Sequence, residues 1–86
     1  MAAKSFELTL ASKEGPLWQG EASQVEVPAL GGGLTFLPGH ASMLVLLAKG
    51  EMKVKAGKDL SFAIEGGFAS FDRDRMVVAV DSGRSE

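Results

Sequence analysis

A chain of 86 residues has room for one domain, because folding at that size buries only about 60 to 65% of the unfolded surface and leaves little to divide. With 45% hydrophobic residues and no cysteine, it must hold its core by packing, without disulfides or a thiolate metal site. A net charge of -2 excludes the basic footprint of a nucleic-acid binder, the opening Met1–Glu7 lacks a signal peptide's apolar segment, and no apolar run approaches the roughly 20 residues a membrane helix needs.

In chain order the pattern is strand after strand. Phe6, Leu8 and Leu10 alternate with Glu7 and Thr9, the period-two signature of a strand with one buried face. Lys13-Glu14-Gly15-Pro16 breaks it, and Leu17 to Val27 predicts a second strand, bent at Gly20 and ended by Pro28. Gly31-Gly32-Gly33 reads as a flexible connector into the short strand Leu34–Leu37. Pro38 and Gly39 suit the two central positions of a type II turn, which reverses the chain ahead of the run Met43–Leu47. Gly50 opens the clearest alternation, with Met52, Val54 and Ala56 on one face and Glu51, Lys53 and Lys55 on the other. Gly57-Lys58-Asp59 turns it into Leu60, Phe62 and Ile64, and Gly66-Gly67 marks a bulge or a close backbone approach. Phe68–Phe71, the charged turn Asp72–Arg75 and Met76–Val80 complete a last hairpin.

Apolar residues nowhere recur at helical spacing, and short strands with turn signals every eight to twelve residues argue for an all-β sandwich or barrel, one domain over residues 1–86. Met43–Leu47 and Met76–Val80 are apolar on both sides of the pleat. Each is therefore either sandwiched within the domain or set against another protein, and so small a domain can hardly enclose both.

Catalytic equipment is sparse. His40 and Ser42 lack a positioned acid, and Asp72 and Asp74 supply two of the five or more ligands a calcium loop needs, so they read as a solvated turn. The glycine triplet is followed by neither Gly-Lys-Ser/Thr nor a helix, which argues against a phosphate cradle. Neither cofactor nor metal is expected. Gly50-Glu51-Met52-Lys53-Val54 is similar to the Met-Lys hairpin of biotinyl and lipoyl carrier domains, which would make Lys53 an attachment site; yet a carrier lysine belongs at a turn tip, and Lys53 falls within an alternating strand. A free-standing adaptor for a peptide or carbohydrate is a third possibility, weakened by the single tryptophan and the absence of tyrosine.

Gly33-Leu34-Thr35-Phe36-Leu37-Pro38-Gly39-His40-Ala41-Ser42-Met43-Leu44, then Ile64–Phe71 and Met76–Asp81, together resemble the N-terminal β-sandwich domain of the epsilon subunit of rotary ATP synthase. Phe6–Leu10, Ser12-Lys13-Glu14 and Leu17-Trp18-Gln19-Gly20 extend the resemblance over about Ser5 to Gly83. The resemblance implies a two-sheet β-sandwich of about ten short strands that serves as a non-catalytic rotor piece, one copy per complex, peripheral on the cytoplasmic face of a bacterial plasma membrane or the equivalent organelle face. It implies contact with the gamma subunit around Ser12, His40 and Val45 and contact with the c ring through Gly31, Gly32, Gly33, Leu34 and Thr35, while backbone preference alone gives Pro38, Gly39, Gly66 and Gly67 a structural role. Many relatives carry an acidic residue where Gly33 stands, and most continue into two C-terminal helices. With the chain ending at Glu86, neither an inhibitory arm nor a nucleotide site is expected.

Overall fold

The computed structural model describes residues 4–86. They form eight strands: β1 (Phe6–Ser12), β2 (Gly15–Ala22), β3 (Gln24–Ala29), β4 (Gly32–Phe36), β5 (Met43–Leu46), β6 (Gly50–Lys55), β7 (Asp59–Asp72) and β8 (Arg75–Ser85). The hydrogen-bonded order is β2-β1-β8-β7-β6-β3-β4, with β5 also paired to β7. Only β1 and β8 pair in parallel.

The long β7 is the spine. Its first half, up to Ile64, pairs with β6, and its second half, from Phe68, pairs with β5. β8 follows it along the other edge, its first half against β1 and its last residues against the start of β7. Both long strands therefore serve two layers, one of β2, β1, β8, β7 and β5, the other of β8, β7, β6, β3 and β4. Counted by layer, the eight strands make ten segments, which accounts for the sandwich of about ten short strands that the resemblance implies.

The passage between layers lies at Gly66 and Gly67, with φ of 67° and 113°. The β7–β8 register is the same on both sides, Glu65 opposite Ser82 and Gly67 opposite Val80, so no residue is inserted and the pair is a close approach of backbones, not a bulge. A Cβ on Gly67 would sit 2.1 Å from the Ala79 carbonyl oxygen and 2.7 Å from the Val80 Cα. Because both are backbone atoms, neither can swing aside.

Each strand sends alternate residues inward, and the core is built from those positions: Phe6, Leu8 and Leu10 of β1, Val25 and Val27 of β3, Met52 and Val54 of β6, Phe62, Ile64, Ala69 and Phe71 of β7, and Met76, Val78 and Val80 of β8. No polar side chain is buried among the described residues. At one end the rings of Phe6, Phe36 and Phe71 meet, with Phe6–Phe71 edge-on at 5.1 Å and Phe36–Phe71 stacked at 5.6 Å, each pair adding about 0.5 to 1.5 kcal/mol beyond its buried area.

The expected second strand is in fact two. Between β2 and β3 the chain leaves the ladder at Ser23, whose N–H donates to the Lys55 carbonyl at 2.7 Å, and β2 and β3 belong to different layers. Gly20 is not a bend; it makes room for the half-buried Trp18 ring, from which a Cβ there would be only 2.9 Å away. Pro28 ends the ladder with β6, which stops at Glu26, while its pairing with β4 continues. The glycine triplet is not a flexible connector either. Leu30 and Gly31 form the tip of a tight β3–β4 hairpin, and Gly32 and Gly33 already belong to β4, opposite Ala29 and Pro28.

The Pro38 loop is held from a distance. Leu37–His40 is closed by the His40 N–H donating to the Leu37 carbonyl at 3.0 Å, with Gly39 at φ 84°, as a type II turn requires. The β7–β8 turn, with Arg73 and Asp74 at φ of 50° and 57°, is of type I′, whose twist matches the strands it joins. Asp74 Oδ1 accepts the Gly39 N–H at 2.7 Å, and Asp72 Oδ1 accepts the Ser42 hydroxyl. The two aspartates that read as a solvated turn are clamps on the loop.

Two outcomes are expected. Gly67→Ala costs at least about 3 kcal/mol in urea unfolding, from overpacking against backbone combined with a strained φ; an unchanged midpoint would contradict the crossing described above. Asp74→Ala loses roughly 1 to 2 kcal/mol and speeds hydrogen exchange at the Gly39 amide, whereas Asp74→Asn, which keeps an acceptor and tolerates positive φ, stays near wild type.

Candidate functional site: an uncharged face and a bare hairpin

The two outer faces of the sandwich differ in chemistry, and the register shows how. On the second layer, outward positions are Glu26 of β3, Glu51 and Lys53 of β6, Ser61 and Ala63 of β7, and Arg84 of β8. This is a solvated, mixed-charge surface. On the first layer, one outward row runs Thr9, Val77, Ser70 and Leu44 across β1, β8, β7 and β5, and the next runs Ala11, Ala79, Phe68 and Leu46. Neither row carries a charge. At the usual spacing of about 4.8 Å between strands, the band is about 14 Å wide.

Charges return at both ends of the band: at one, Lys13 Nζ lies 3.9 Å from Asp81 Oδ1 next to Ala11, Ala79 and Phe68, and at the other Arg75 Nε lies 3.3 Å from Glu7 Oε1, beside Asp72 opposite Arg75. Both partners of that pair are largely exposed, so it adds little stability and serves as a polar rim.

The band is also where the large apolar side chains stay in water. Leu44 is 68% exposed, Leu46 62%, Phe68 44% and Val77 37%. Leu30, 66% exposed at the hairpin tip, joins the patch through its N–H, which donates to the Leu46 carbonyl at 3.1 Å. Both two-sided apolar runs thus keep one face against the core and one outside: Met76, Val78 and Val80 are buried while Val77 is not. A contiguous exposed apolar patch rimmed by polar groups is the mark of a contact surface.

The residues singled out for the gamma contact are not gathered into one spot. Ser12 stands at the end of β1, where its hydroxyl accepts the Glu14 N–H at 3.2 Å and so shapes the β1–β2 turn. Val45 lies opposite the fully buried Ala69, and its side chain packs against the core; the outward residues of β5 are its neighbours Leu44 and Leu46. Ser12 and Val45 thus flank opposite edges of the uncharged band. His40 lies beyond its end, half-buried, its ring 4.6 Å from Phe36 and 5.4 Å from Phe71, with Nδ1 2.7 Å from the Ala41 carbonyl oxygen. It closes the aromatic end of the core.

Of the residues singled out for the ring contact, Gly31, Gly32, Gly33 and Thr35 are exposed and Leu34 is half-buried on β4, beside Val45 and Leu46 of β5. The sequence reading missed Leu30, Leu44, Leu46 and Phe68. A signal for most of them was available: from Val27 to Ala48 the chain contains no Asp, Glu, Lys or Arg, although 23% of all its residues are charged.

Lys53 sits inside β6, opposite Ser61 on one side and Glu26 on the other, with Nζ 3.8 Å from Glu51 Oε1. The tip of the β6–β7 turn is Gly57-Lys58 instead, so the turn-tip lysine of a carrier domain is not formed at Lys53. Among the described residues, no three His, Cys, Asp or Glu side chains come together as a metal site.

Comparison with known proteins agrees with this architecture. Residues 5–85 match the family described as the ATP synthase delta/epsilon chain, β-sandwich domain. The chain is 39% identical over 81 residues to the ATP synthase epsilon chain of Micrococcus luteus, covering 92% of this chain and 89% of that one. It is 36% identical to ATP synthase epsilon chain 2 of Nitrobacter hamburgensis, but spans only 60% of that relative's length. Among solved structures, a chain of the Euglena gracilis mitochondrial ATP synthase OSCP/F1/c-ring assembly superimposes with a TM-score of 0.88 at 24% identity, over 99% of this chain and 55% of that one. A chain of the Tetrahymena thermophila mitochondrial ATP synthase central stalk and c ring gives 0.82 at 14% identity, over 98% and 69%. These two show a shared fold. By the match along nearly its whole length and the identity with epsilon chains, this chain belongs to the ATP synthase delta/epsilon family and is its all-β sandwich domain.

Proposed function

We propose that the chain is a non-catalytic central-stalk subunit that joins gamma to the c ring of an ATP synthase, so that proton-driven rotation of the ring reaches the catalytic head as torque. The observation that carries this reading is the contrast between the two outer faces, one mixed in charge and one with two uncharged rows ending in exposed Leu44, Leu46, Phe68 and Val77. Gamma seats on the uncharged face, Ser12 and Val45 marking its flanks and His40 its end. Val45 acts by filling the space beneath β5, which keeps Leu44 and Leu46 pointing outward.

The β3–β4 hairpin, Gly31 to Thr35, meets the ring. The two contacts adjoin, because Leu30 of the hairpin is hydrogen-bonded to Leu46 of the gamma-facing strand. Such a domain transmits torque by being stiff, and two close-packed layers with no buried polar side chain among the described residues supply that stiffness. It sits on the cytoplasmic face of the membrane, or the equivalent organelle face, through the complex and in one copy.

The test is retention by purified gamma. Leu46→Asp and Phe68→Asp both alter exposed positions, so each variant folds as wild type, yet each loses gamma affinity by at least about 100-fold, because a carboxylate would be buried against an uncharged surface. Lys53→Glu, on the opposite face, binds as wild type. Full retention of both aspartate variants would put the contact on another face.

A further inference from the structure

The Pro38 loop, residues 37–42, leads straight into β5, and among the described residues its outward hydrogen bonds run to a single turn. The Gly39 N–H donates to Asp74 Oδ1 at 2.7 Å, and the Ser42 hydroxyl donates to Asp72 Oδ1. A carboxylate accepts a stronger hydrogen bond than a neutral oxygen does. The turn that carries both aspartates is itself anchored, because the Asp74 carbonyl accepts the Glu7 N–H of β1 at 3.0 Å. One rigid corner therefore ties the loop to two strands of the first layer.

The clamps steady the near end of β5. That strand has four residues. Its far end is held on both sides, by the ladder with β7 and by the Leu30 N–H on the Leu46 carbonyl. Its near end, Met43 and Leu44, pairs with Phe71 and Ser70 along one side and begins directly after the Ser42–Asp72 bond. So short a strand opens from the end that is held less. Leu44, 68% exposed, stands at the edge of the uncharged face, so any loosening of the loop reaches that face through it.

We infer that Asp72 and Asp74 are positioning residues for gamma binding. They hold the Pro38 loop in one shape, so that Met43 and Leu44 are already in place when gamma arrives, and they act through the loop without touching gamma. The inference rests on the reading that gamma seats on the uncharged face, and it adds the groups that pre-form the seat. A seat formed in only a fraction of the free chains lowers apparent affinity by that fraction, and ordering it in advance removes that cost from binding.

The test is affinity for purified gamma, measured beside amide exchange in the free chain. Gly and Asn both tolerate the positive φ of Asp74, and only Asn keeps an acceptor. Asp74→Gly should therefore weaken binding at least about fivefold, while Asp74→Asn stays within about twofold of wild type. Ser42→Ala breaks the second clamp without removing the Asp72 charge, and it should cost about as much as Asp72→Ala, with the double variant no worse than Asp72→Ala alone. Exchange at the His40 amide, which closes the loop onto the Leu37 carbonyl, should speed up in the order in which affinity falls. Wild-type affinity in Asp74→Gly and Ser42→Ala, equal losses in Asp74→Gly and Asp74→Asn, or losses with His40 exchange unchanged would each overturn the inference. If Leu46→Asp loses gamma while the clamp variants keep it, the seat stands and the positioning role falls. If Leu46→Asp also binds as wild type, the seat itself lies elsewhere.

Discussion

Much of this architecture depends on one contact between backbones: Gly67 passing so near Ala79 and Val80 that a Cβ would lie 2.1 Å from a carbonyl oxygen. At that point β7 and β8 leave one layer and enter the other without breaking register. Two strands shared by both layers bind the layers through main-chain hydrogen bonds as well as by packing. This is a strong way to stiffen a domain that has neither disulfide nor metal ligand cluster among its described residues. The spine also sets the surface chemistry, because one β7 half carries β6 with its alternating charges and the other carries β5, which has none.

Segregation of charge follows from that division. The layer built on β6 and β3 solvates itself with Glu26, Glu51 and Lys53, and the layer ending in β5 exposes Leu44 and Leu46. Were the apolar positions merely surplus, they would be scattered, as single exposed apolar residues usually are. Here five of the seven large apolar side chains exposed among the described residues fall between Leu30 and Leu46, and the other two, Phe68 and Val77, belong to the adjoining rows. The Pro38 loop borders the same side, and its fixed shape comes from Asp72 and Asp74, so the ordering of this flank draws on the β7–β8 turn.

Much of this was legible in the amino-acid sequence wherever a strand has one wet face. Phe6, Leu8 and Leu10, or Met52 and Val54, declare their phase by alternating with polar residues, and Pro38-Gly39 declares its turn by backbone preference. The two-sided apolar runs were compatible with either enclosure or an outward face, and the structure puts one face of each outside the core. Phase was lost in those same runs: when every residue from Met43 to Leu47 is apolar, period two cannot tell Val45 from Leu44, and only the pairing of Val45 with Ala69 decides. The break at Ser23 was invisible because no glycine or proline marks it; a tertiary hydrogen bond to Lys55 does. Asp72 and Asp74 looked solvated because their partners, Ser42 and Gly39, are some thirty residues away along the chain.

Hydroxyl-radical footprinting of the chain alone and bound to gamma and the c ring reads whether the uncharged face becomes covered in the working assembly while the charged one stays in water. Met43, Leu44, Leu46 and Phe68, all exposed in the free chain, should lose most of their reactivity on assembly, while the outer face of the β6 layer keeps its own. Protection of the β6 layer with Leu44, Leu46 and Phe68 still fully reactive would contradict coverage of the uncharged face.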